Sequence, residues 1–202
     1  MASIINPVTT FDPWEMPTEP VRRFTVAEYH RLIEIGFFGE DESYELIEGW
    51  LVRKMTKERL HEYALEYLSN LISQALPPTW RCRCQLAVTL PDSEPEPDVA
   101  IVAGPRSRYA ARHPLAAEIA LIIEVSDVSL SRDQGTKLRS YARAGVPEYW
   151  IVDVNARCVH VYSRPVTACV YEAQRTVRGG ETLSIALEGV SFPVVVSELF
   201  PS

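Results

Sequence analysis

The 202-residue sequence lacks the signatures of several large protein classes. It has no apolar run long enough to cross a bilayer, and its N-terminus lacks the basic-then-apolar pattern of a signal peptide. We therefore expect an intracellular, cytoplasmic protein with no membrane partner. The four cysteines form no CxxC pair, and no histidine lies at zinc-finger spacing from them, so reduced packing thiols are expected.

Motifs of common cofactor and hydrolase sites are also absent. The 9 glycines form neither a GxGxxG motif nor a P-loop, and the chain contains no GxSxG or HExxH. We therefore expect no organic cofactor. The net charge of −7 argues against a surface coated with basic residues for nucleic acid, but it is compatible with local basic patches and with acids around a metal.

The chain length fits one domain that follows a proline-rich arm. Residues 1–23 hold four prolines and no periodic pattern, so they form an arm that either lies on a partner subunit or is disordered. Residues 24–202 form the predicted domain. Its predicted helices cover 26–35, 57–76 and 132–144. Its predicted strands cover 81–90, 98–102, 120–126 and 149–154, with a hairpin within 44–55 and short strands near 159–162, 170–171, 183–186 and 194–196.

The run Ala120–Val125 is apolar except for Glu124. Its short length and its isoleucine content predict a strand that is covered on both faces. An ionised carboxylate in such a strand is costly unless it is paired or binds a metal. The alternative is that Glu124 lies at the strand end and reaches water or a basic partner.

A second acid, Asp98, begins the preceding predicted strand. If the two strands pair antiparallel with Val102 opposite Ala120, then Asp98 lies opposite Glu124 on the same face. A slip by one residue would put the two acids on opposite faces. Two adjacent carboxylates repel each other unless a cation or a proton lies between them. Mg²⁺ suits this arrangement, and the backbone carbonyl of Val125 could provide another oxygen ligand.

The predicted helix after Glu124 provides a positive group. Lys137 and Asp133 are four residues apart, so they share a helix face, which Tyr141 continues. Packing of this helix against the strand would bring Lys137 beside the two carboxylates, whereas the alternative is an ordinary surface ion pair. Two carboxylates, a metal and a lysine suit hydrolysis of phosphodiester bonds, because the metal polarises the phosphate and the lysine offsets developing charge.

Several further residues are auxiliary candidates. Glu45 and Glu48 lie in the predicted hairpin, either at the site or as solvated carboxylates, and His61 lies in the first turn of the second predicted helix. The loop 103–113 contains a tyrosine between basic residues, so it could contact a nucleic-acid backbone or form a solvated surface. Its candidate contacts are Arg106, Arg108 and Arg112.

The order of these motifs resembles a known family. The motifs are Glu-Pro-Asp98, Ile-Ile-Glu124-Val-Ser, and a long run from Asp133 through Lys137 to Asp153, with Tyr-Glu-Leu-Ile-Glu-Gly49 upstream. Together they resemble the bacterial stand-alone family named putative restriction endonucleases, of the PD-(D/E)XK superfamily, over about residues 24–200.

The resemblance implies an α/β (α+β) fold with a restriction-endonuclease-like core, in which helices flank a central mixed sheet. An N-terminal helix and hairpin and C-terminal strands would be additions to this core. It also implies DNA cleavage that depends on Mg²⁺ or Mn²⁺, with Asp98 and Glu124 as metal-binding acids.

One position departs from the superfamily pattern. The superfamily lysine lies two residues after the second acid, where this chain has Ser126, so Lys137 would serve as a migrated lysine. A homodimer is expected, because many DNA-cleaving enzymes use one active site for each strand. The alternative function is a non-cleaving nucleic-acid-binding or protein-interaction module on the same fold.

Overall fold

The computed structural model describes residues 21–39, 42–54 and 58–201. Residues 1–20 of the predicted arm lie outside this part of the chain, and the boundary between arm and domain stays a prediction. The described helices are α1 (Val26–Glu34), α2 (Arg59–Ala75), α3 (Leu130–Arg132) and α4 (Leu138–Ala144), and a π-helical turn, Asp133–Lys137, joins α3 to α4.

Ten strands occur in the described residues. They are β1 (Tyr44–Ile47), β2 (Trp50–Arg53), β3 (Trp80–Cys84), β4 (Val99–Ala103), β5 (Ile119–Ser126), β6 (Glu148–Asp153), β7 (Cys158–Val166), β8 (Val170–Arg178), β9 (Thr182–Leu187) and β10 (Val190–Val195). Short 3₁₀ turns cover Arg106–Tyr109, Ala116–Glu118 and Val196–Leu199.

A six-stranded mixed sheet forms the centre of the molecule, in the order β3-β4-β5-β6-β7-β8. Only β5 and β6 pair in parallel, because the helical segment from α3 to α4 connects them; the other neighbours are antiparallel. The hairpins β1-β2 and β9-β10 form separate two-stranded sheets. The predicted central mixed sheet, with an N-terminal hairpin and C-terminal strands added to it, is therefore confirmed.

Alternation along the central strands gives the sheet an apolar core on each face. On one face, Leu68 and Ile72 of α2 pack on residues such as Ile101, together with side chains of β9 and β10. On the other face, Tyr141 of α4 packs with Ile122 and neighbouring residues. Both faces of the sheet are thus covered, as the apolar runs predict.

Local sequence signals explain several element boundaries. Thr25 and Glu28 form the predicted capping box at the start of α1. Glu48 and Gly49, with φ of 49° and 80°, form the tight hairpin turn between β1 and β2. Glycine is needed at position 49, because a Cβ there would lie 2.5 Å from the Cβ of Arg23.

The strand predicted over 81–90 is wrong in its second half. β3 ends at Cys84 because Gln85 adopts a φ of 53° and donates its backbone N–H to the carbonyls of Pro97 and Asp98. The following residues no longer alternate in burial, since Leu86 is exposed and Ala87 and Val88 are both buried. They bond instead to the loop that precedes β4; Val88, for example, donates to the carbonyl of Pro95.

The register between β4 and β5 decides how the two predicted acids relate. Val99 pairs with Ile123, as the predicted register requires. A bulge then shifts the register, so that Val102 pairs with Ile119 and not with Ala120. The assumed Val102–Ala120 pair is therefore wrong, although the pairs nearest to Asp98 have the predicted register.

No helix among the described residues combines the length and the apolar character that a membrane crossing requires.

Candidate active site

A cleft of about 80 Å³ opens where β4 begins and β5 approaches its end. The register of the pair Val99–Ile123 brings Asp98 and Glu124 to the same edge of the sheet, where both line the cleft. Most of the predicted site residues line this cleft as well. They are Glu45, His61, Asp98, Glu124, Asp133 and Lys137.

Asp98 is held by groups from two other elements. Its Oδ2 accepts a hydrogen bond of 2.9 Å from the backbone N–H of Val125 and lies 2.9 Å from Nε2 of His61. Its Oδ1 has a longer contact, 3.4 Å, with the side-chain amide of Gln85. Burial alone would raise the pKa of Asp98, but His61, the Val125 N–H and Lys137 together lower it. Asp98 is therefore a carboxylate at neutral pH.

Glu124 alternates with Ile123 and Val125, so it faces the helical segment from α3 to α4. Its Oε1 accepts hydrogen bonds of 2.9 Å from Nζ of Lys137 and from the hydroxyl of Tyr141. In the described part of the chain, both hydrogen bonds of this carboxylate go to Oε1. Burial and the neighbouring acids raise the pKa of Glu124 to about 8, despite the opposing effect of Lys137.

Lys137 is buried between two carboxylates, with 3% of the residue exposed. Its Nζ lies 2.9 Å from Oε1 of Glu124 and 3.5 Å from Oε1 of Glu45. Burial lowers the pKa of Lys137, but the carboxylates of Glu124, Glu45 and Asp133 outweigh this effect and raise the pKa above its ordinary value. The side chain is therefore a permanent cation that can donate hydrogen bonds and cannot act as a base.

Asp133 is also buried, so the surface ion pair considered for Asp133 and Lys137 is wrong. Its Oδ2 accepts hydrogen bonds from the hydroxyls of Ser126 and Ser129. Its Oδ1 is buried without a partner among the described residues. Ser126, at the position of the superfamily lysine, thus binds the π-helical turn through Asp133.

Glu45 and Glu48 have different environments. Glu45 is buried at the cleft, where its Oε2 accepts the backbone N–H of Glu96. Glu48 does not line the cleft; it accepts two hydrogen bonds from Arg139 and lies 3.2 Å from Arg143. The interpretation of both as solvated hairpin carboxylates is therefore wrong, because each is buried.

The three loop arginines do not line the cleft. Arg112 forms a bidentate pair with Glu118, with distances of 2.6 and 2.7 Å, and Arg108 lies 3.7 Å from the same carboxylate. Arg106 lies in an exposed 3₁₀ turn. Their contact with nucleic acid stays a prediction.

Tyr141 was absent from the predicted site residues, although its hydroxyl binds Glu124 directly. The signal was its spacing of four residues from Lys137, which puts both side chains on one helix face. Gln85 carried no comparable signal, because only the turn at the end of β3 brings it to Asp98.

The cleft acids are not gathered into a preformed metal site. Among the described residues, no three carboxylate, imidazole or thiol ligand atoms of the cleft lie within 4.8 Å of one another. Asp98 is held instead by His61, and Glu124 by Lys137.

The six-stranded mixed sheet, flanked by helices and with the cleft at its edge, is a restriction-endonuclease-like fold. A solved structure described as "a putative nuclease belonging to DUF820" from Anabaena variabilis ATCC 29413 is similar to this chain, with a TM-score of 0.67 and 19% sequence identity. The similarity covers 83% of this chain and 96% of that chain.

A family model described as "Uma2: Putative restriction endonuclease" matches residues 26–195, and the chain belongs to this family. No curated protein matches the chain. The family resemblance and the fold class predicted from the motifs are both confirmed.

Proposed function

We propose that this protein is an endonuclease that hydrolyses DNA phosphodiester bonds with Mg²⁺ or Mn²⁺ in the cleft. The observation that carries the proposal is the convergence of Asp98, Glu124 and the buried Lys137 from two adjacent strands and one helix. The family match supports nuclease chemistry, while the metal and the DNA substrate are the finer parts of the proposal.

The donor groups of the cleft suit a hard divalent cation. Four buried acids, namely Glu45, Asp98, Glu124 and Asp133, share the cleft with one buried lysine. Burial and the neighbouring carboxylates raise the pKa of Glu124, and a bound cation would offset this effect. The cleft volume of about 80 Å³ has room for an ion that keeps several waters.

Specific oxygen atoms remain for the metal. Oδ1 of Asp98 has one long contact, and Glu124 directs both of its hydrogen bonds to Oε1, which leaves Oε2. The carbonyl of Val125 is the predicted third oxygen. When bound, the metal supplies polarisation of the phosphate and acidification of a water.

The chain's own residues orient the reacting groups. Lys137 remains protonated, so it attracts the phosphate and offsets charge that develops on it in the transition state. His61 and the N–H of Val125 fix the carboxylate of Asp98, and Tyr141 fixes that of Glu124. Such fixed donors cost no reorganisation during the reaction.

The test is cleavage of supercoiled plasmid and of labelled oligonucleotides with Mg²⁺ or Mn²⁺. Asp98→Asn and Glu124→Gln, which remove charge at nearly constant volume, are each expected to lower the cleavage rate by at least a hundredfold. The matched control is Glu172→Gln, because the side chain of Glu172 is 62% exposed and lies outside the cleft. Unchanged cleavage in both cleft variants would contradict the assigned site.

Two parts of the proposal need separate measurements. A chain that binds DNA in a salt-dependent manner but never cleaves it with any divalent metal would be the non-cleaving module instead. Parallel assays on RNA test the choice of DNA as substrate. The proposed homodimer is checked by light scattering with and without DNA, and a strict monomer in both conditions would contradict it.

A further inference from the structure

A second group of metal-ligating side chains lies outside the cleft. Asp153 ends β6, Cys158 begins β7, and these two residues pair directly across the strands. His160 lies two residues after Cys158, so the three side chains share one face of the sheet. Their ligand atoms all lie within 4.8 Å of one another, and none of the three residues lines the cleft.

The distance between the imidazole and the carboxylate of this cluster fits a shared ion better than a direct hydrogen bond. Nε2 of His160 lies 3.7 Å from Oδ2 of Asp153 and 3.7 Å from Sγ of Cys158, with which it can share a hydrogen bond. A nitrogen–oxygen hydrogen bond has a length of about 2.7–3.2 Å, so the imidazole and the carboxylate are too far apart for one. A tetrahedral zinc ion would hold such atoms about 3.3–3.6 Å apart. Small side-chain movements would therefore complete the site.

Neighbouring groups already orient two of the three ligands. Nδ1 of His160 lies 3.0 Å from Oγ1 of Thr176 on β8. With its proton on Nδ1, the imidazole donates to this hydroxyl and directs the Nε2 lone pair toward Asp153 and Cys158. The other carboxylate oxygen of Asp153, Oδ1, accepts the backbone N–H of Ala156 at 2.8 Å. Such outer contacts are typical of metal-binding histidines and carboxylates.

Access from solvent exists on the histidine side. Asp153 and Cys158 are buried, whereas the side chain of His160 is 20% exposed and lines an open pocket with residues of β8. A water entering through this pocket could occupy the fourth coordination position.

We propose that Asp153, Cys158 and His160 bind a zinc-class transition-metal ion as a three-ligand site. Thiolate and imidazole favour such an ion over Mg²⁺, so this site selects a different metal from the cleft. The ligands come from the paired strands β6 and β7, and Thr176 of β8 contacts His160. The bound ion therefore stabilises the edge of the sheet at which β5 and β6 both end.

The test is titration of reduced, metal-free, full-length protein with Co²⁺, followed by competition with Zn²⁺. We expect one thiolate-bound Co²⁺ per chain, counted from its thiolate-to-metal charge-transfer band and apart from any Co²⁺ in the cleft, and loss of this band as Zn²⁺ displaces Co²⁺. Cys158→Ala must abolish the band, and His160→Gln must weaken Co²⁺ binding at least tenfold. Cys82→Ala is the matched control, because its thiol lies elsewhere, beside Cys84.

Two further variants separate this proposal from a folding defect and from the nuclease site. Thr176→Val changes a largely exposed residue and should weaken binding about 10–100-fold while the thiolate band persists at saturation. Glu124→Gln should leave the band unchanged. A missing band in the wild type, a band that survives in Cys158→Ala, or unchanged affinity in both His160→Gln and Thr176→Val would overturn the proposal.

Discussion

Replacing Lys137 by methionine tests the charge arrangement of the cleft directly. Methionine keeps a similar unbranched side chain and removes the ammonium that lies 2.9 Å from Glu124. Glu124 would then keep the hydroxyl of Tyr141 as its donor, while Glu45 would lose the same cation. The variant therefore leaves buried carboxylates without their closest positive charge.

The expected cost follows from the distance and from the ability of Glu124 to take up a proton. Two unit charges 2.9 Å apart attract by about 6 kcal/mol at an effective dielectric constant of about 20. Removing one member of a buried pair costs about 3–5 kcal/mol. Because the pKa of Glu124 is about 8 with Lys137 present, the carboxylate is ionised at pH 9; its protonation in the variant limits the loss, and we expect about 3 kcal/mol at pH 9.

The measurement is urea-induced unfolding at pH 9, where Glu124 is ionised, in the presence of a chelator. Lys137→Met is compared with Glu124→Gln and with the double variant, in which the neutral amide no longer needs a counterion. Arg139→Met is the matched control, because the Arg139 side chain is 50% exposed and Glu48 keeps Arg143; a loss of about 1 kcal/mol or less is expected.

Two outcomes would refute this reasoning. The first is a loss of stability below about 1 kcal/mol in Lys137→Met, because removal of the ammonium leaves a buried carboxylate without its counterion. The second is a double variant whose loss equals the sum of the single losses, because additive effects would mean that Lys137 and Glu124 do not interact.

Three smaller perturbations test other parts of the structure by the same unfolding measurement. Ser126→Ala removes one of the donors to the buried Asp133, so a loss of about 1–3 kcal/mol is expected, and a neutral effect would contradict the assigned bond. The pKa of Glu118 is lowered to about 2, chiefly by its arginine partner; the resulting stability is present above about pH 4.5 and is lost as the pH falls toward about 2. Glu118→Gln should therefore flatten the acid side of the stability curve, and an unchanged curve would argue against the pair. Gly49→Ala combines a φ of 80° with a close approach to Arg23, so a loss of more than about 1 kcal/mol is expected, whereas a more stable variant would contradict the strained turn.

Local signals in the sequence predicted most helices and strands. The apolar stripe of α2, the capping box of α1 and the short apolar runs of β4, β5 and β6 each reflect interactions within a few residues, so periodicity predicted them. The sequence does not indicate the end of β3, because large apolar residues alternate with smaller ones over residues 86–90 as they do in a strand, although this segment bonds to a loop. The backbone turn at Gln85 that causes this difference has no residue signal, since glutamine rarely adopts a positive φ.

The relative positions of the site residues could be predicted only for residues that lie on a regular strand or helix. The relation of Asp98 to Glu124 followed from strand pairing, and that of Lys137 to Asp133 followed from helix spacing. The contacts of Glu48 with Arg139, 91 residues away, depend on how the hairpin packs on α4, which periodicity does not encode. The cluster of Asp153, Cys158 and His160 likewise requires the register of β6 and β7, although a Cys-x-His pattern in a strand was its available signal.

The serine at the superfamily lysine position and the lysine on the helix are two parts of one arrangement. Ser126 is too short to reach across the cleft as a lysine would, but its hydroxyl binds Asp133 at the start of the π-helical turn. That turn ends at Lys137, whose ammonium reaches Glu124 from the helix side. A π-helical turn within an α-helix changes the direction in which the following side chains point, and such turns often occur at functional sites. The strand residue therefore anchors the segment that ends at Lys137, whose ammonium lies beside Glu124.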